Sequence, residues 1–390
     1  MVNILFIHQS AEMYGSDKTL LVLLQNLDKT KYCCTVILPN EGPLKTALEL
    51  EAIKVVIAPV LKLHRKMFTP KNIYLLVKEV RLGFRILNML HKQIKFDLVY
   101  SNTLAVLLGI CFARIARIKH IWHVHEIIES PKLFKVAFRF LLQLKVNSLI
   151  IYNSVATQKF WIGIQKNVSK NVVILNGLDA NFDKLSENEI QNIRNTIFKS
   201  NNKNDIIIAL VGRISRWKGQ MILLKAFSLI AKDRSDVKLI FIGSAPLNQN
   251  TLLEELQLNI KNYGLEHNVV IVPFYDKIFD MWQAVDIAVV PSTEPEPFGL
   301  VAVEAMLAGK PVVASNHGGL SEIILNNETG FLIPPNNEIT LKQAVQKLID
   351  DPDLRSNMGA KGCSRAITNF SIKNHINQIE SSIETILKVK

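Results

Sequence analysis

Ile287-Ala-Val-Val-Pro291-Ser-Thr-Glu-Pro-Glu296-Pro-Phe298-Gly299-Leu300-Val-Ala-Val-Glu304-Ala-Met-Leu-Ala-Gly-Lys-Pro311-Val-Val-Ala314 decides the fold class. The apolar run Ile287–Val290 predicts a buried strand, and the Pro-rich stretch after it cannot stay in a sheet. A helix follows over Leu300–Ala308, and Pro311–Ala314 predicts the next strand. Strand, loop, helix and strand in that order form a βαβ unit with parallel strands. Glu296 stands in the loop just before the helix, and Glu304 lies in the helix's second turn, eight residues later. Two carboxylates so placed can accept hydrogen bonds from different hydroxyl-bearing parts of one extended ligand. Gly299 leaves room for a phosphate near the N–H groups of the first helical turn. An acid that merely complements the helix dipole is a simpler account of Glu296. It leaves Glu304, on a helix of small residues, unexplained.

The same alternation runs outward through the chain. In the first half, strands are predicted at Asn3–His8, Thr35–Leu38, Val55–Ala58, Asp97–Ser101, His120–His123 and Ser148–Tyr152. Helices are predicted at Ser16–Leu27, Pro43–Glu51, Lys71–Lys95, Leu104–Ile115 and Pro131–Leu144. In the second half, strands are expected at Ile206–Val211, Lys238–Ile242, Val269–Val272, Ile287–Val290 and Pro311–Ala314. The helices between and after them are Gly219–Lys232, Leu252–Tyr263, Phe279–Ala284, Leu300–Ala308, Leu320–Asn326 and Leu341–Ile349. At 390 residues the chain exceeds a typical single core. It reads as α/β, with one doubly wound domain over 1–180, a second over 181–370, and a C-terminal helix over 371–390 returning to the first. Two such domains facing each other put their strand C-termini on opposite walls of one cleft, which suits a nucleotide or phosphate ligand.

Hydrophobic residues make up 48% and charged residues 21%, ordinary for a folded soluble protein. Cys33 and Cys34 are adjacent while Cys111 and Cys363 stand alone, so neither a zinc spacing nor a disulfide framework is visible. That pattern suits a reducing cytosol. The longest apolar run, Leu104 to Ala113, falls far short of the roughly 20 residues of a membrane span. The N-terminus opens directly as a strand, without the marks of a signal peptide. The net charge of +12 is uneven: residues 1–180 hold 24 Lys+Arg against 11 Asp+Glu, and residues 181–390 hold 22 against 23. The basic excess of the first half suits an anionic surface or substrate, or serves solubility alone. No nucleic-acid-binding motif accompanies it.

Several polar residues fall where strands end. Arg213 and Lys218, in Val211-Gly-Arg-Ile-Ser-Arg-Trp-Lys-Gly, lie between a buried strand and the next helix. Two cations fixed at a strand C-terminus suit a diphosphate. In Ile7-His-Gln-Ser-Ala-Glu-Met-Tyr-Gly-Ser-Asp, Gly15 permits a close backbone approach or a simple turn. His123-Val-His125-Glu126 points both rings to one face, a pair that could begin a zinc site or serve structure. No third ligand cluster accompanies it, and no metal is expected. Asn102-Thr103 and Asn153-Ser154 also end strands, where polar residues often cap helices.

Taken together, these segments resemble glycosyltransferase family 4. Glu296-x7-Glu304 is similar to the family's E-x7-E signature, and Val211–Gly219 to its phosphate-binding segment. Leu175-Asn-Gly-Leu-Asp resembles its inter-domain motif, while Gly318-Gly-Leu-Ser-Glu-Ile-Ile and Gly330-Phe-Leu-Ile-Pro-Pro resemble its C-domain loops. Where family members carry Gly-Gly, this chain has Tyr14-Gly15. The resemblance implies a GT-B fold of two Rossmann-like domains and a retaining transfer of sugar from a nucleotide-sugar donor to a hydroxyl acceptor, in surface polysaccharide or glycolipid synthesis. It implies that Glu296 binds hydroxyls of the sugar, Glu304 the ribose, and Arg213 and Lys218 the diphosphate. His125 contacts the sugar, with His123 the alternative if the loop register shifts. The implied donor set is Gly15, Arg213, Lys218, Glu296, Phe298, Gly299, Leu300 and Glu304. Asn102, Thr103 and Asn153 fall on the acceptor side. No cofactor or metal is implied, and the location is cytoplasmic. The basic amphipathic stretches Lys62 to Lys95 and Pro131–Lys145 either pack their apolar faces on the domain's own sheet or, if the acceptor is lipid-linked, lie on an anionic membrane. Another GT-B enzyme, such as an epimerase or phosphorylase, and a non-catalytic basic binding protein are the competing readings.

Overall fold

The computed structural model describes residues 1–61, 70–163, 170–246 and 250–388. The chain divides into two compact units, Met1–Gly177 with Ile372–Lys390, and Leu178–Ser371. The strands of the first are β1 (Val2–His8), β2 (Tyr32–Leu38), β3 (Lys54–Ile57), β4 (Leu98–Asn102), β5 (Lys119–Val124), β6 (Asn147–Tyr152) and β7 (Asn171–Val173). Those of the second are β8 (Ile206–Val211), β9 (Val237–Ile242), β10 (Val269–Val272), β11 (Ile287–Val290), β12 (Val312–Ser315) and β13 (Gly330–Ile333). Helices α1 (Gly15–Asn26), α2 (Pro43–Leu50), α3 (Pro70–Ile94), α4 (Leu108–Ala116), α5 (Lys132–Leu142) and α6 (Val155–Ile162) belong to the first unit. Helices α7 (Glu187–Thr196), α8 (Gln220–Ile230), α9 (Thr251–Asn262), α10 (Ile278–Gln283), α11 (Leu300–Leu307), α12 (Leu320–Ile323), α13 (Glu338–Asp350) and α14 (Pro352–Asn369) belong to the second. The last, α15 (Ile372–Lys388), is part of the first.

Both sheets are parallel, in the orders β3-β2-β1-β4-β5-β6-β7 and β10-β9-β8-β11-β12-β13. The strand order reverses between β1 and β4 in one and between β8 and β11 in the other, and ligands bind such sheets where their order reverses. Parallel strands covered on both faces read as unbroken apolar runs. Ile206–Val211 and Ile287–Val290 are buried almost throughout for that reason. On one face of the first sheet, Leu20, Leu23 and Leu24 of α1 pack with Ile376, Ile379, Ile383 and Ile386 of α15. The three- and four-residue steps of those isoleucines form the apolar stripe of a helix lying on a sheet. The opposite face buries Leu87 and Leu90 of α3 with Phe112 of α4, and Trp122 with Phe138 and Trp161.

The doubly wound α/β class matches the sequence expectation, and several boundaries differ. A helix was expected over Leu104–Ile115, yet α4 begins at Leu108. The Glu126 carboxylate accepts from the Leu104 amide at 3.1 Å, and the Trp122 indole donates to the Thr103 carbonyl at 2.8 Å. These bonds tie the backbone of residues 103 and 104 outside any helix. Gly330-Phe-Leu-Ile, expected as a loop, is the edge strand β13, because Phe331 and Ile333 are buried in the core. Helix α12 ends at Ile323 instead of running to Asn326, whose side chain accepts from the Leu332 amide at 2.9 Å. Strand β7 and helices α6 and α14 carry too weak an apolar pattern to have been expected. The basic stretch Lys62 to Lys66 lies outside the described residues.

Candidate active site

In the second unit, the candidate residues follow the two strands at the point of reversal. Arg213 and Lys218 follow β8, and Glu296 follows β11. Lys218 Nζ donates to Glu296 Oε1 at 2.6 Å, and Ser292 Oγ donates to the same oxygen, also at 2.6 Å. The Glu296 side chain is 13% exposed and that of Lys218 22%. Burial alone would raise the Glu296 carboxyl, but the adjacent Lys218 ammonium, with Ser292 and His317, holds it below the usual range. Two glycines make this approach possible. Gly219 sits at φ +79° where a side chain would run into the Pro291 carbonyl, and Gly318 at φ +60° where it would strike the Glu296 backbone. The Gly319 amide then donates to the Glu296 carbonyl at 2.7 Å, pinning the loop that carries the carboxylate.

Glu304 is buried in the second turn of α11, and Phe298 is buried just before that helix. Gly299 caps α11 at φ +117°, and a Cβ there would meet Leu320 at 2.7 Å. Its missing side chain therefore admits α12 instead of opening space for a ligand, which corrects the sequence reading. Ala302 and Val303 turn their amides back to the Gly299 carbonyl, so the amides of Leu300 and Val301 lie outside the helix ladder. The Arg213 carbonyl accepts from Gln220 Nε2 at 2.9 Å, which fixes the loop between β8 and α8.

In the first unit, the strand register lines up His8, Asn102 and His123 across the ends of β1, β4 and β5. His125 lies one residue beyond β5, on the same face as His123, and the two ring centroids are 3.9 Å apart. The Tyr100 hydroxyl and His123 Nδ1 are 2.8 Å apart, and the His375 ring of α15 stacks 6.4 Å from His123. His123 is thus committed to the interior, while His125 Nε2 lies 3.0 Å from Asn102 Oδ1. Burial pushes His125 down to about 3 and His120 to about 4, and it drives His123 well below the imidazole range. Burial also lifts the Glu126 carboxyl to about 7, against the amides of Leu104 and His125 that hydrogen-bond to it. Thr103 sits at φ +113°, costly for a β-branched residue, with its hydroxyl buried and unpaired.

Gly15 opens α1, behind a Tyr14 cap. Asn153 is buried, and its Oδ1 accepts from the Thr157 hydroxyl at 2.9 Å while Ser154 caps α6, so this pair is engaged in starting a helix. Among the described residues, no group of three His, Cys, Asp or Glu side chains is placed to hold a metal ion. Sequence reasoning passed over His8, Asp17, His375, Ser292 and His317. Asp17, three residues after the Tyr14 cap, carried a helix-start signal that could have been read. His375 lies so far along the chain that only the fold brings it to β5.

Paired Rossmann-like units of this topology match the GT-B architecture, and the chain is related to the group 1 glycosyl transferases: residues 192–365 match the family described as "Glycosyl transferases group 1". Structures of the Anabaena protein HepE, solved with UDP and glucose and with UDP-glucose, are 29% identical, with a TM-score of 0.83 over 99% of this chain and all of that one. The capsular polysaccharide biosynthesis glycosyltransferase CapM of Staphylococcus aureus is 29% identical over 213 residues, 55% of this chain and 54% of CapM. A D-inositol 3-phosphate glycosyltransferase of Corynebacterium diphtheriae is 32% identical over 182 residues, 45% of this chain and 41% of that protein. The chain spans about half the length of these curated relatives in the matched region.

Proposed function

We propose that the protein is a retaining glycosyltransferase of family 4, moving a sugar from a nucleotide-sugar donor to an acceptor hydroxyl. The observation that carries this reading is the Lys218–Glu296–Ser292 cluster at the reversal point of the second sheet, beside the first turn of α11. HepE, similar over its whole length, is a protein whose structures hold UDP and UDP-glucose. Arg213 and Lys218 serve the diphosphate, Glu296 the sugar hydroxyls and Glu304 the ribose. In the first unit, His125 serves the sugar.

The reaction breaks the bond between the anomeric carbon and the donor phosphate oxygen, which keeps the electron pair. A bond forms from the acceptor oxygen to the same face of that carbon, and the acceptor proton passes to the leaving phosphate. Arg213 and Lys218 stabilise charge that grows on the diphosphate as the bond breaks. No protein nucleophile is assigned, because Glu296 already accepts from Lys218 and Ser292.

The glutamates provide the test. Glu304→Ala should weaken UDP and UDP-glucose alike by calorimetry, whereas Glu296→Ala should weaken UDP-glucose and leave UDP nearly unchanged. Equal loss of bare UDP in both variants rejects these roles. Label from a donor panel appearing in acceptor separates transfer from epimerisation, which alters the donor without an acceptor. We further propose an acceptor linked to lipid and a place on the inner face of an anionic membrane, supported by the outward faces of α3 and α5.

A further inference from the structure

The polar chain behind His125 has no part in the reading above, and it makes directional demands. Asn102 ends β4 with its Nδ2 facing the Ser16 carbonyl at 3.5 Å and His8 Nδ1 at 3.0 Å, and its Oδ1 facing His125 Nε2 at 3.0 Å. A carbonyl can only accept, so the amide nitrogen belongs on the Ser16 side and the amide oxygen on the His125 side. His125 must then carry its proton on Nε2. A neutral imidazole has one donor and one acceptor nitrogen, so Nδ1 keeps the lone pair. His8 is held in turn: its Nε2 lies 2.7 Å from Asp17 Oδ1, on a carboxylate that also accepts from Ser10 Oγ and, at 3.0 Å, from the Tyr14 amide. With its Nε2 proton on Asp17, His8 Nδ1 is the acceptor for Asn102 Nδ2, so its 3.0 Å approach to the Asn102 backbone carbonyl is a contact and not a hydrogen bond. All four residues of the chain are buried.

We propose that Asp17, His8 and Asn102 are positioning residues that fix His125 as a hydrogen-bond acceptor at Nδ1, aimed at a hydroxyl of the sugar. The identity of that hydroxyl-bearing ligand rests on the transferase reading; the tautomer does not. Asp17 has two duties in this arrangement, since the carboxylate that orients His8 also caps α1.

Two-bond 1H–15N spectra of the full chain labelled with 15N-histidine test the proposal, with the His125 signals assigned by their loss in His125→Phe. The wild type should show the proton on Nε2. Asn102→Asp keeps an acceptor and should keep that tautomer, whereas Asn102→Leu should release His125 into a mixture. Asp17→Asn presents a donor to His8 and should strip the proton from His8 Nε2. UDP-glucose, but not UDP, should shift the His125 Nδ1 resonance. A wild-type His125 protonated on Nδ1, or a tautomer unchanged in a folded Asn102→Leu, overturns the proposal. Should the tautomers follow the prediction while UDP-glucose causes no shift, the positioning chain stands and the sugar-binding role of His125 falls.

Discussion

Lys218 and Glu296 were read from the sequence as separate ligands for the two ends of a donor, but the fold joins them into one pair. Removing either leaves the other's charge half-buried, so the pair behaves as a unit. Arg213→Ala and Lys218→Ala should each lower turnover by roughly 10²-fold, the scale for losing charge stabilisation in a transition state. The UDP-glucose binding losses of Lys218→Ala and Glu296→Ala should overshoot the double variant by about 1–3 kcal/mol. Additivity in this cycle would show that the pair has no energetic reality. Glu296, Glu304, Arg213 and Lys218 were legible because one motif carries each pair within a short span. The pairing was not, since Gly219 and Gly318 bring two loops together across 78 residues of chain. His8 was illegible for a related reason: its partners on β4 and α1 are chosen by strand register and by a helix cap.

Helix α5 is apolar on two sides. Phe138 and Leu142 are buried, as an amphipathic helix on its own sheet should be, yet Leu133, Val136 and Phe140 are 75%, 66% and 65% exposed. On α3, Leu87 and Leu90 are buried while Tyr74, Leu82 and Met89 face outward among Lys78, Arg81 and Arg85. Packing within the unit accounts for the first set and leaves the second uncovered. No helix among the described residues is long and apolar enough to cross a membrane. Exposed apolar side chains beside cations suit the surface of an anionic bilayer, where each cation contributes about 1 kcal/mol. Lys135 and Arg139 are already engaged with Phe160, by stacking at 3.8 Å and a hydrogen bond at 2.7 Å, which leaves the electrostatic part chiefly to α3. Anionic liposomes should float the protein at low salt and release it at high salt, and reversing the charge of Lys78, Arg81 and Arg85 should abolish flotation. Recovery in the soluble fraction under every condition removes the membrane from the proposal. At this scale the sequence showed basic amphipathic helices and could not show which apolar residues the sheet would leave outside. The strands were legible for the opposite reason, since a buried parallel strand is apolar on both faces.

Across the whole chain, acid should act on one unit before the other. His120, His123, His125 and His375 are all buried in the first unit and all held below the ordinary imidazole value by that burial. The unfolded chain takes up protons near pH 6.5 that the folded unit refuses, so the stability these residues contribute is complete above that pH. It is lost as pH falls from there toward the lower folded values. Glu126 opposes them: its carboxyl, raised to about 7, lowers stability as pH rises from about 4.5, and acidification restores that loss. Four histidines stand against one carboxyl, so the balance still favours acid lability. Calorimetry at pH 7 and pH 5 should show the transition of the first unit moving down much further than that of Leu178–Ser371. Equal shifts would count against this assignment. That first unit is also assembled from two segments separated by the whole of the second, because its core closes only with the isoleucines of α15. A ribosome reading the message makes Leu178–Ser371 whole while β1 to β7 still wait for residues not yet translated. Of the two units, the one begun first is finished second, and its apolar sheet face must be kept from other chains until α15 emerges.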